Sequence, residues 1–183
     1  MPPTPPRYIQ SLTQPRIEGF KWISPQDLLD EQIYREVLSD GCSILSFSSS
    51  ATAPEFTYSV GLYLNFLHPE ILLMGLHPDT ARGIICRIRE EAIKGQTIEA
   101  GSVRHDLFDD GRELRFRPVP QERYLDYVPR NCNLYFSLFL RDASRDFGFP
   151  VLQGIWQDRG GSFPDDPDCD PAFVAIHRLV AQP

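Results

Sequence analysis

The sequence predicts an α+β fold: one domain, with a mostly antiparallel sheet of about five or six strands and helices packed over it. Three observations point there. A chain of 183 residues suits a single domain with a real core. Strand-like runs crowd its middle, and the turns between several of them are too short for helical crossovers. That pattern favours hairpins over a doubly wound parallel sheet.

Taken in order, residues 1–22, with "PPTPPR" and "QPR", read as an extended proline-rich arm, and 23–183 as the single domain. Ser24-Pro25 has the form of a helix start, Ser as N-cap and Pro in the first turn. Leu28, Leu29, Ile33, Val37 and Leu38 repeat at helical spacing, and Gly41 stands where a C′ glycine belongs. "CSILSFS" (42–48) reads as a strand and "SSSATAP" (48–54) as a flexible loop. "EFTYSVGL" alternates: Phe56, Tyr58, Val60 and Leu62 share one face, Thr57, Ser59 and Gly61 the other. The small face suits close approach of a ligand or backbone, or packing against a helix.

"EILLMG" (70–75) is apolar on both faces, as a central strand would be. Asp79 or Thr80 then starts a second helix, with the stripe Ile84, Ile85, Ile88 and Ala92 and a closing Gly95. "QTIEAGSVRHDLF" is β-like, "DDG" (109–111) a turn, and "RELRFRPV" a strand stopped by Pro118 and Pro120. "QERYLDYV" suggests a short helix before Pro129. "NCNLYFSLFLRDAS" is apolar nearly all round; it fits a buried helix or a strand, with helix favoured. "FPVLQGIWQD" (149–158) is a further strand, followed by "RGG", the acidic loop "PDDPDCD" and one or two helical turns.

Composition narrows the functional classes. The apolar share is 42%, the charged share 23% and the net charge −7, values of a globular, acidic protein. Such a surface repels a nucleic-acid duplex but suits a basic protein partner. No apolar run approaches the ~20 residues of a membrane span, and "MPPTPPRYIQ" lacks the apolar stretch of a secretory signal. A cytoplasmic location, away from membranes, is expected. Cys42, Cys86, Cys132 and Cys169 lack zinc spacing and read as reduced, mostly buried thiols, with a reactive thiol or a disulfide pair as the alternatives. No phosphate loop, dinucleotide fingerprint or zincin helix occurs, so no cofactor is expected.

"HPEILLMGLHP" carries His-Pro at both ends, at His68 and His77. If the stretch between is one strand, nine steps separate the rings by roughly 25–30 Å, far beyond one metal ion's reach. His77-Pro78-Asp79-Thr80 has the form of a helix start. His68-Pro69-Glu70 has two readings: a charge pair at a loop, or a general base with its orienting carboxylate. Arg115 and Arg117 share one strand face with Glu113. They form either an anion clamp or a solvated stripe. Asp158, Asp165, Asp166, Asp168 and Asp170 lack EF-hand spacing. They form a solvated loop or a lid for a basic partner.

With "FTYSVGL", "HPEILLMGL" and "FPVLQGIWQDRGGSFP" in view, the chain resembles a bacterial family catalogued as domain of unknown function 4262. The resemblance covers about residues 38–165 and rests on Tyr58, Gly61, Leu62, His68, Pro69, Glu70, Gln153, Trp156, Asp158, Gly161, Phe163 and Pro164. Asp165 replaces the family's tryptophan after Phe-Pro. The resemblance implies a fold and a candidate site, and no activity. Two functional expectations follow. One is a non-catalytic binding protein, of the immunity or inhibitor type, for a basic partner. The other is a small enzyme or ligand-binding domain whose pocket gathers Tyr58, His68, Glu70, Gln153 and Asp158. There His68 would act as base, Glu70 or Asp158 would orient it, Tyr58 would donate a hydrogen bond, and Trp156, Arg115 and Arg117 would add ligand contacts.

Overall fold

The computed structural model describes residues 16–49, 54–141 and 146–178. Most of the proline-rich arm and most of the 48–54 loop lie outside them. Six strands form one sheet: β1 (Ser43–Phe47), β2 (Phe56–Val60), β3 (Glu70–Met74), β4 (Val103–Arg104), β5 (Leu114–Pro118) and β6 (Val151–Trp156). Their order is β1-β2-β3-β6-β5-β4. All pairings are antiparallel except β3 with β6. Seven α-helices are described: α1 (Leu28–Asp40), α2 (Leu62–Phe66), α3 (Pro78–Ile93), α4 (Tyr124–Tyr127), α5 (Pro129–Leu134), α6 (Phe136–Phe139) and α7 (Pro171–Arg178). The fold is the α+β domain that the strand-rich middle predicts.

The sheet separates two apolar clusters. On one side Ile71, Leu73, Leu114, Phe116 and Leu152 meet Ile84, Ile85 and Ile88 of α3. On the other, Tyr58, Val60, Leu72, Met74 and Val151 meet Ile33 and Val37 of α1 and the short helices α4 to α6. β3 is buried along its whole length, as a strand covered on both faces must be.

Some boundaries differ from expectation, each for a local reason. Helix α1 starts at Leu28 rather than after Ser24, because Asp27 is extended and its carboxylate accepts the Asp30 amide at 2.8 Å. Leu28 is 81% exposed while Asp30 is buried. The Arg130 guanidinium holds Asp30 and Asp27 at 2.9 Å each, which offsets the desolvation of Asp30. Leu62 does not extend β2, since Gly61 at φ 103° turns the strand into α2. The stretch from Gln96 supplies only Val103 and Arg104 to the sheet: the Ile98 amide goes to His68, and Gly101 takes φ 86°. The ambiguous 131–144 segment is helical to Phe139, with an interruption at Tyr135 between α5 and α6.

Candidate functional site

Glu70, fully buried at the start of β3, is a heavily committed side chain. Its carboxylate accepts the Ser59 hydroxyl at 2.6 Å, the Tyr135 hydroxyl at 2.7 Å, and the Gly61 and Tyr63 amides at 2.8 and 3.2 Å. Ser59 Oγ in turn accepts the Ile71 amide, and Tyr135 Oη the Leu64 amide. Burial pushes the Glu70 carboxyl above its ordinary range, while these four donors pull the other way. The first turn of α2 points its amides at this carboxylate, so Glu70 sets the angle at which chain leaves β2.

His68 is not among the partners of Glu70. Its Nδ1 lies 2.7 Å from the Pro69 carbonyl oxygen, and its Nε2 accepts the Ile98 amide at 3.2 Å. This pairing fixes the neutral ring with its proton on Nδ1. Burial lowers the basicity of the ring, which the charge of Glu91 on α3 partly restores. His68 is therefore on the α3 side of the sheet, whereas Glu70 shares the opposite face with Leu72, and no acid–base dyad forms. His77 is at the far end of β3. Its own imidazole caps α3, Nδ1 accepting the Asp79 amide at 3.3 Å, where Asp79 or Thr80 had been expected to cap. Among the described residues no cluster of His, Cys, Asp or Glu could hold a metal ion.

The register places Tyr58 opposite Leu72, Leu72 opposite Gln153, and Gln153 opposite Arg117. These four share one row and one face. Gln153 is 1% exposed, and neither its Nε2 nor the Tyr58 hydroxyl has a hydrogen-bond partner. Arg117 pairs with Asp165. Arg115, one row away, pairs with Glu113 and lays its guanidinium 3.4 Å from the centre of the Phe163 ring.

Asp158 follows the opposite end of β6 from the His68 edge, because β3 and β6 run parallel. Its carboxylate accepts the amides of Gly160, Ser162 and Asp170 at 2.8, 2.9 and 2.9 Å. These contacts hold it ionised below the ordinary carboxylate range. Trp156 donates from Nε1 to the Met74 carbonyl at 3.1 Å and packs edge-on against Phe173. The five-residue pocket is thus divided. Glu70 and His68 flank the start of β3 on opposite faces, Tyr58 and Gln153 are mid-sheet, and Asp158 organises a loop beyond the far edge.

Beyond Asp158 the acidic segment is ordered by its own contacts. Phe163 and Cys169 are buried, while Asp165, Asp166 and Asp168 are exposed. Beside them runs a groove of about 390 Å³ lined by Pro164, Asp165, Pro167, Pro171, Val174 and Ala175.

The comparisons with known proteins bear on the whole arrangement. The family model described as "Domain of unknown function (DUF4262)" matches residues 36–170. The chain belongs to this family. No curated protein and no solved structure matches it. The match spans Glu70 and all its donors, the Tyr58–Arg117 row and the loop closed by Asp158. In the DUF4262 domain the four cysteines are free, with Cys42, Cys132 and Cys169 buried, and burial pushes the Cys132 thiol up to about 12. Among the described residues no helix is long and apolar enough to cross a membrane.

Sequence reasoning missed three residues of these sites. From sequence Ser59 reads only as part of a small face, Tyr135 stands in a segment without periodicity, and His177 belongs to the tail. His177 is 1% exposed with neither ring nitrogen bonded. Only a histidine on an otherwise apolar helical run, "PAFVAIHR", hinted at it.

Proposed function

We propose that this DUF4262 domain is a non-catalytic binding protein that captures a basic protein partner, in the manner of an immunity or inhibitor protein. The observation that carries this reading is the acidic loop. Asp158 gathers three amides, and Phe163 and Cys169 anchor the loop to the domain. Asp165, Asp166 and Asp168 consequently reach solvent from a fixed frame beside a proline-lined groove. A frame ordered before binding loses little entropy on association. The apolar floor suits the aliphatic stems of Lys or Arg, and the rim suits their charged ends. The net charge of −7 would steer a cationic partner toward the domain. The division of the expected catalytic set among three places weighs against the enzymatic alternative.

Fluorescence anisotropy with a panel of Lys- and Arg-containing peptides tests this reading. Binding should weaken by about tenfold from low to physiological salt, and weaken further in the Asp165→Asn, Asp166→Asn, Asp168→Asn triple variant. Salt-independent binding, or a triple variant equal to the parent, refutes it.

A further inference from the structure

We infer that Gln153, Arg117 and His177 form a second binding site, one for a small carboxylate-bearing ligand, beneath α7. Gln153 and His177 are each 1% exposed, yet Gln153 Nε2 and both His177 ring nitrogens lack partners. An orphaned buried polar group opposes folding, and an apolar residue of the same shape would avoid that cost. Arg117 connects the two. It stands directly opposite Gln153 on the neighbouring strand, and α7 carries His177 to the same face, where the adjacent Ile176 packs against the cluster of Tyr58, Leu72 and Val151. Trp156 and Phe173 hold the His177 ring, at 6.0 and 4.7 Å between centroids, without using its nitrogens.

The chemistry of the three groups is donor-rich. An amide NH₂, an imidazole N–H and a forked guanidinium match the two oxygens of a carboxylate. The domain already supplies one such group, since Asp165 on the acidic loop pairs with Arg117. The Arg117 side chain of that pair is 37% exposed, so the pair forms the mouth of the site. A ligand carboxylate would take the place of Asp165 on Arg117 and reach the buried nitrogens of Gln153 and His177.

The test is an NMR titration of the ¹⁵N-labelled full chain with acetate, succinate, glutamate and inorganic phosphate, against sodium chloride at matched ionic strength. The Gln153 side-chain amide and the His177 ring should shift saturably with carboxylates. The response should vanish in Gln153→Met and weaken by about tenfold in Arg117→Met. Asp165→Asn, which removes the internal competitor, should bind carboxylates more tightly. Shifts that follow ionic strength alone, a response to phosphate only, or an unaltered response in Gln153→Met overturn the inference. If Gln153→Met fails to fold, Asp165→Asn decides, and no gain in affinity there overturns it. The acidic-loop reading predicts weaker peptide binding in Asp165→Asn, so each idea can fail separately.

Discussion

Two hydroxyls and two amides converge on the carboxylate of Glu70, and three of these four contacts, those of Ser59, Gly61 and Tyr135, are buried. Replacing Glu70 with Ala would orphan all of them in the core. We expect Glu70→Ala to cost about 3–5 kcal/mol in urea unfolding. Glu70→Gln keeps one acceptor oxygen for the Gly61, Tyr63 and Tyr135 donors, and Ser59 can turn to accept from the new amide. Its cost should be nearer 1–2 kcal/mol, roughly. Equal losses in the two variants would contradict this account. His177 makes a prediction of a different kind. Burial first, and the Arg117 charge second, lower its pKa from 6.5 to about 4. The unfolded chain therefore takes up a proton that the folded one refuses between those values. Stability should fall by about 3 kcal/mol as pH drops through that window, with no contribution from this group above it. His68 shifts in the same direction and Glu70 in the opposite sense. The subtraction of His177→Phe from the parent at each pH isolates the His177 contribution.

At the level of single elements, the junction of β2 and α2 depends on Gly61. Its φ is 103°, and an added Cβ would lie 2.7 Å from Val37 Cγ2. Gly61→Ala should thus cost about 2–4 kcal/mol from backbone strain and a core clash together, read as a drop in melting temperature. Asp158 plays the corresponding part in the acidic loop. Asp158→Ala should raise hydrogen exchange at Gly160, Ser162 and Asp170 while amides of β3 and β6 stay protected. Loss of protection throughout would mean that the loop is part of the core rather than a module on it. These elements also show what could be read from sequence. Alternation gave β2, the doubly apolar run gave β3, and the isoleucine stripe gave α3. Ser24-Pro25 has the right residue types for an earlier start of α1, but the buried Asp30 at the first turn is held by the Gln26 amide and by the distant Arg130, which no local pattern announces. Glu70 was picked out as a candidate, but its donor Tyr135 is 65 residues away. No local pattern could announce that contact, and the adjacent His68 drew attention that belonged to the tyrosine.

Across the whole molecule, the strand order matters most. The order β1-β2-β3-β6-β5-β4 means that β6 is laid between two groups of strands that precede it in the chain. Before residues 151–156 arrive, β1-β2-β3 and β4-β5 are separate pieces, each exposing an apolar margin that only β6 can cover. Refolding should be slow for a protein of this size, since the closing contacts join residues far apart in sequence. Substitutions in β6, such as Gly154→Ala, whose Cβ would meet Leu73 Cδ2 at 2.5 Å, should lower the equilibrium midpoint and also raise aggregation during refolding. Stopped-flow refolding with light scattering would check this. During synthesis the same geometry leaves a nascent chain with two sticky flanks until its last strand emerges, so this protein should lean on ribosome-associated chaperones more heavily than a simple meander of equal length.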